Sequence, residues 1–253
     1  MIKLVDLLLE NQQAPKAIFL GGPAGAGKST FIKEFLPSNY LILNVDDDIE
    51  RELEKAGILD IPQGEYNRDQ RSFSSKTMAQ ANKDKEKKLG DALSDKKNII
   101  IDGTGAASNP IQKTKTIVEN LGYETFMALV YASPLVSLER NLQRRRKLAA
   151  PRVLSSWQGV VLNIPTYRQM FGRNFVIKNN DPLDADKTYN EKEITRYLGM
   201  YKYPDPTPKT DKQVAQGKEK FEKQTKFIKH ALQNPPKFNS SQEIQSKIDE
   251  FLS

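Results

Sequence analysis

Short, wholly apolar runs alternate along this chain with stretches in which apolar residues recur every three or four positions. The first run, Ala17-Ile18-Phe19-Leu20, ends in Gly21-Gly22, as a parallel strand buried on both faces would. Phe31, Ile32 and Phe35 then fall at helical spacing across Ser29 to Phe35 until Pro37, and Tyr40 to Val45 reads as a second strand. Helical character resumes from Ile49 to Ala56. Ile61 to Lys97 is polar and lysine-rich, with Met78, Leu89 and Leu93 spaced for a mostly exposed helix. Asn98-Ile99-Ile100-Ile101 predicts a third strand, a helix begins near Pro110, and Thr125 to Tyr131 predicts a fourth strand. Leu135, Leu138 and Leu142 mark a helix that would carry Arg140, Arg144 and Lys147 on a second face. Beyond Pro151, the positions of Trp157, Val160, Val161 and Ile164 are again periodic, and Phe175-Val176-Ile177 is the fifth strand. This alternation predicts an α/β fold, a three-layer α/β/α core with a parallel sheet.

The two ends read differently. Met1 to Leu9, interrupted by Lys3 and Asp6, predicts an N-terminal amphipathic segment over residues 1–16 rather than an export signal. From Asp181 the pattern changes: Pro204, Pro206 and Pro208 predict a linker, Thr210 to Gln233 a lysine-rich helix, and Ser240 with Glu243 a capping box after Pro235-Pro236. The expected organisation is a core over residues 1–180 and a helical C-terminal extension over 181–253.

Composition narrows the chemistry. No apolar run approaches the ~20 residues of a membrane-spanning helix, and the absence of cysteine removes disulfides, thiolate nucleophiles and cysteine zinc sites, so a cytoplasmic setting without membrane association is expected. A formal charge of +7 favours anionic partners, and lysine concentrated in the last fifty residues leaves nucleic acid among them. The single histidine, His230, lies on that lysine-rich segment, far from any motif, and reads as surface.

Gly22-Pro23-Ala24-Gly25-Ala26-Gly27-Lys28-Ser29 fits G-x-x-x-x-G-K-[ST] and joins a strand to a helix. In such a loop the backbone amides wrap phosphates, Lys28 neutralises the outer ones and the Ser29 hydroxyl coordinates Mg²⁺; Thr30 adjoins it, and ATP is the expected nucleotide. Asp46, Asp47 and Asp48 follow the second strand. If that strand continues, Asp46 and Asp48 point one way; if a helix begins at Asp46, one of them caps it. Asp102, after four apolar residues, stands where a carboxylate supports the metal shell, or else is a turn residue before Gly103. Arginines after the fourth strand, Arg144 among them, either close over the γ-phosphate or form a solvated face.

These residues, with Ile101-Asp102-Gly103-Thr104-Gly105, Pro110-Ile111-Gln112 and Gly122-Tyr123-Glu124-Thr125, make the chain resemble the zeta toxin family of P-loop kinases over roughly residues 17–180. Members of that family phosphorylate the sugar of UDP-N-acetylglucosamine. The resemblance implies that Lys28 is the P-loop lysine, Asp48 the catalytic base and Asp46 the first acidic position. It places Thr104 beside the sugar nucleotide and lid arginines around Arg140 or Arg144 and at Arg152. The family's acidic substrate contact falls nearest Glu86, one residue out of register, and Ala106 replaces a basic residue. A phosphotransferase acting on a hydroxyl of a small acceptor is therefore expected. The alternatives are a polynucleotide or nucleoside kinase gripping a phosphate backbone through its basic tail, and a binding or assembly protein that keeps only ATP binding.

Overall fold

The computed structural model describes residues 14–182 and 211–253, with side chains in the helix from Asp211 described at 216, 219 and from 222 onward. The expected N-terminal amphipathic segment and the proline-rich linker lie largely outside the described residues.

Five strands form one parallel sheet: β1 (Lys16–Gly21), β2 (Leu41–Leu43), β3 (Ile99–Asp102), β4 (Glu124–Tyr131) and β5 (Phe175–Asn179), in the order β2-β3-β1-β4-β5. Residue parity divides the core, as a two-residue repeat requires. Ala17, Phe19, Met127, Leu129, Tyr131 and Ile177 share one face with Val118, Trp157, Val160 and Tyr167. Ile18, Leu20, Phe126, Ala128, Val130 and Val176 share the other with Phe31, Phe35 and Val136. The first layer comes from α4 (Ser108–Asn120) and α6 (Ala150–Phe171), the second from α1 (Lys28–Phe35) and α5 (Pro134–Gln143). The three-layer α/β/α fold is therefore present. A separate apolar cluster, Ile49, Leu53, Ile58, Leu59, Tyr66 and Ala81, ties α2 (Asp46–Lys55) to α3 (Arg68–Ser94).

Three elements depart from the expected bounds. β2 is only Leu41–Leu43, because α2 already begins at Asp46. The arginine helix stops at Gln143, where the buried Asn141 side chain exchanges hydrogen bonds with both backbone groups of Leu148, at 2.9 and 3.0 Å, and gathers Arg144 to Lys147 into a loop. Arg144 and Lys147 thus leave the helix face on which spacing had put them.

The third departure concerns the C-terminal extension. Among the described residues its helices are α7 (Asp211–Gln233) and α8 (Ser241–Leu252), the latter with the expected capping box between Ser240 and Glu243. Ile228 and Ala231 of α7 enter the first core cluster, while Ile244, Ile248 and Phe251 of α8 enter the second. Lys16 at the start of β1 donates to the Phe251 carbonyl, and Asn239 accepts from the Ile177 amide at 2.9 Å. The sheet's core therefore extends past residue 180. Because Ile248 is fully buried, Ile248→Ala should destabilise the protein by about 2–5 kcal/mol in urea unfolding. Gln242→Ala on the exposed face of α8 should stay within about 0.5 kcal/mol of the parent. Equal stabilities would show that α8 is not part of the core.

Candidate active site

β1 runs straight into the glycine loop, and Gly27 forms the N-cap of α1 at φ 92°, left-handed and without a capping side chain. The first-turn N–H groups of Lys28 and Ser29 therefore lack intrahelical acceptors, and no acidic side chain occupies that turn. Ser29 and Thr30 are exposed. Two side chains hold the loop from behind: Arg140 donates to the Gly25 carbonyl at 3.2 Å and the Asn180 carbonyl at 3.0 Å, while the Asn180 amide donates to the Ala26 carbonyl at 2.7 Å. Glycine is obligatory at 27, where an added Cβ would stand 2.0 Å from the Asn180 amide nitrogen. Gly22 donates to the Thr104 carbonyl at 2.9 Å, tying the loop to the segment after β3, and the Lys28 ammonium donates back to the Gly22 carbonyl at 3.1 Å.

In front of the loop lies a cleft of about 280 Å³ lined by Lys28, Asp46, Lys85, Asp102, Arg144, Arg146 and Arg152 among others. Five cations against two carboxylates leave it strongly cationic. Asp102 follows the buried half of β3, and its Oδ1 is buried, has no hydrogen-bond partner and lies 4.0 Å from the Lys28 ammonium. Burial pushes this carboxyl above its usual value, against the pull of Lys28. An orphaned buried carboxylate oxygen beside a phosphate loop, with the Ser29 hydroxyl exposed, fits a hard divalent cation such as Mg²⁺.

Asp46 is the first helical residue of α2, with Val45 as N-cap, so it neither extends β2 nor caps the helix. Its carboxylate accepts from the buried Arg146 guanidinium at 2.7 Å and has Arg144 at 4.0 Å. Burial raises this carboxyl, but Arg146, Lys28 and Arg144 outweigh it and hold it below the usual range. Asp48 is turned elsewhere. It pairs with Arg51 at 2.7 Å and Lys88 at 3.0 Å, whose hydrogen bonds keep it below the ordinary value, and it does not line the cleft. Of the two alternatives the helix is the one present, with Val45 rather than an aspartate as its N-cap, and the two acids diverge because successive helical positions fan around the axis instead of alternating.

A second hollow of about 380 Å³ shares Asn82, Lys85, Asp102, Gly103 and Thr104 with the first and adds Glu86, Ala106, Pro110 and Ile111. Glu86 and Thr104 thus share one cavity. Arg144 contacts Glu50 at 3.4 Å at the cleft wall, and Arg152 reaches Met78 Sδ at 3.2 Å without a carboxylate partner among the described residues. Arg140, one candidate for the lid, instead braces the loop. Sequence reasoning missed Arg146 because spacing treated its segment as helical, and Lys85 because nothing local separates it from the other lysines of α3. His230 is exposed and remote.

A family model described as zeta toxin matches residues 5–159. The chain is 32% identical over 143 residues to the toxin PezT of Streptococcus pneumoniae, covering 55% of this chain and 53% of PezT, so it spans about half that relative's length. Among solved structures, a chain of the PezAT chromosomal toxin–antitoxin system of S. pneumoniae is similar at 20% identity, with 88% of this chain and 89% of that one covered and a TM-score of 0.46. The complex of AvrRxo1-ORF1 with AvrRxo1-ORF2, solved with ATP, is similar at 14% identity, covering 96% and 82%, with a TM-score of 0.50. The latter is a likeness of fold.

The Asp46–Arg146 pair makes stability pH-dependent. A carboxyl held low in the folded state contributes stability that is fully present above its unfolded value of about 3.9 and is lost as pH falls through the lower folded value. Asp46→Asn should cost about 1–2 kcal/mol at pH 7, discounted for Asp46's partial exposure, and the gap should shrink in chemical denaturation as pH falls below the ordinary carboxylate range and through the depressed folded value. A gap that persists unchanged at low pH would show that the ionic pair is not its source.

Proposed function

The chain belongs to the zeta toxin family, and on that premise we propose that it is an ATP-dependent phosphotransferase that moves the γ-phosphoryl group to a hydroxyl of a small acceptor. The nucleotide sugar UDP-N-acetylglucosamine is the acceptor that the family resemblance implies. The observation that carries the reading is the pairing of an open, glycine-capped helix N-terminus with the orphaned Asp102 oxygen 4.0 Å from Lys28, at the mouth of a cationic cleft. Crystallisation of AvrRxo1-ORF1 and its partner with ATP agrees with this use of the fold.

Under this reading the amides of Gly25 to Ser29 and the Lys28 ammonium hold the β- and γ-phosphates, with Thr30 beside them. Ser29 and Asp102 would hold Mg²⁺, which supplies charge neutralisation across the phosphates. Arg144, Arg146 and Arg152 face the γ-phosphate, where transfer spreads negative charge over its oxygens. Glu86 and Thr104 orient the acceptor in the second hollow. The family resemblance makes Asp48 the acceptor of the hydroxyl proton, which requires it to leave its present partners and turn into the cleft. Its present partners, Arg51 and Lys88, are both more than half exposed, and exposed pairs contribute only about 0–1 kcal/mol, so releasing it is cheap. Releasing Asp46 would strand the buried Arg146.

The test is transfer of labelled γ-phosphate from ATP to UDP-N-acetylglucosamine, to a 5′-hydroxyl oligonucleotide, or to no acceptor. Transfer to the sugar nucleotide is expected, falling by about 10²–10⁴-fold in Asp48→Asn with ATP affinity retained. Selective labelling of the oligonucleotide would replace this reading with polynucleotide kinase activity. If Asp48→Asn transfers normally while Asp46→Asn is dead, the base is Asp46.

A further inference from the structure

The lysines of α3 are Lys76, Lys83, Lys85, Lys87 and Lys88, and all but Lys85 are exposed. A lysine on a helix surface ordinarily keeps its ammonium in water. Lys85 instead turns inward at the wall shared by the two hollows, and its ammonium donates to the main-chain carbonyl of Asp102. The same aspartate's carboxylate faces Lys28 at 4.0 Å, so one residue stands between two ammonium groups. Lys85 makes no ion pair of its own among the described residues. Of the carboxylates lining the cleft, Asp46 is paired with Arg146, and the Asp102 carboxylate lies nearest to Lys28, at 4.0 Å. A carbonyl oxygen uses one of the three N–H groups of an ammonium, leaving two for a ligand. The cost of a desolvated cation with spare donors is offset when an anion enters beside it, and the boundary between the two hollows is where a phosphoryl group would cross.

We propose that Lys85 is a further catalytic residue, whose ammonium contacts the oxygens of the phosphoryl group as it passes from nucleotide to acceptor. This rests on the phosphotransferase reading above. In the step, the bond from the γ-phosphorus to the bridging oxygen of ADP breaks, a bond to the acceptor oxygen forms, and the hydroxyl proton goes to the carboxylate base. Lys85 makes and breaks no covalent bond; it balances charge on the three peripheral oxygens, which the ground state carries less favourably.

The experiment compares the full chain with Lys85→Met, Lys85→Arg and the exposed control Lys87→Met. Three quantities are read: affinity for ATP with Mg²⁺, ADP formation with UDP-N-acetylglucosamine present, and the tightening of ADP binding by aluminium fluoride, a mimic of the transferring group. Lys85→Met should hold ATP within about threefold, lose roughly 10²–10³-fold in turnover and lose the aluminium fluoride tightening. Lys85→Arg should recover part of both, and Lys87→Met should match the parent. Turnover and tightening in Lys85→Met equal to the parent would overturn the proposal. So would a proportional loss of ATP affinity, or a fall in melting temperature that Lys85→Arg shares without recovering activity, since those mark a structural lysine. A parent chain that binds ATP but neither turns it over nor tightens with aluminium fluoride would refute the phosphotransferase reading itself.

Discussion

The parallel register that sets Leu20 of β1 opposite Asp102 of β3 governs the site, because it brings the start of the glycine loop level with a buried carboxylate. The main chain continues that pairing beyond the strands: Gly103 donates to the Leu20 carbonyl at 3.0 Å, and Gly22 donates to the Thr104 carbonyl at 2.9 Å. β1 and the first half of β3 are buried, and a slip of one residue would turn Ile18 and Leu20 towards the opposite layer, so it is strongly disfavoured. The geometry of Lys28 and Asp102 is thus inherited from core packing. Crevices at the carboxyl ends of parallel strands are favoured ligand sites for this reason: rigid strands deliver side chains and loops to one level.

A loop that binds phosphates through its amides must keep them from collapsing onto its own carbonyls. Here the carbonyls of Gly25 and Ala26 are occupied from behind by Arg140 and Asn180, which come from different elements. Arg140 links the end of β5 to the loop by bonding both, so the loop is fixed relative to two strands of the sheet. Preorganisation of this kind places donors before any ligand arrives, which is what makes them effective.

The strands and the position of the glycine loop between β1 and α1 were legible from the sequence because they are local: each buried strand is a short apolar run, and the loop consists of adjacent residues. Lateral placement was not legible. Asp46 and Asp48 were separable only once α2 was known to start at Asp46, a shift of three residues from the expected start that turns alternating directions into helical ones. Arg146 escaped for a comparable reason: the Asn141 side chain ends the helix by bonding Leu148, and no periodicity reveals a bond seven residues away. The residues after 180 read as an extension to the core, with a lysine-rich helix over Thr210 to Gln233 and a final capped segment, yet Ile228, Ile244, Ile248 and Phe251 each occupy core. Few apolar residues suffice when an open sheet face is waiting for them.

The concentration of cations raises a folding question of its own, since Lys28, Lys85, Arg144, Arg146 and Arg152 repel one another inside one small cleft. α2 is the compensating element. Its first turn and outer face supply Asp46, Glu50 and Glu54, with Asp60 just beyond, and these engage Arg146, Arg144 and Arg145 at 2.7 to 3.5 Å. Acids in the first turn also favour the helix dipole, so the residues that steady the arginine loop help to form the helix that carries them. Most of these pairs are solvated and weak singly, which suits their position. A multiply charged phosphate in the cleft could draw Arg144 away from Glu50 at small cost, whereas the partly buried Asp46–Arg146 pair is the costly one to open. The site can therefore remain assembled without ligand and still exchange its peripheral pairs for phosphate oxygens when one arrives.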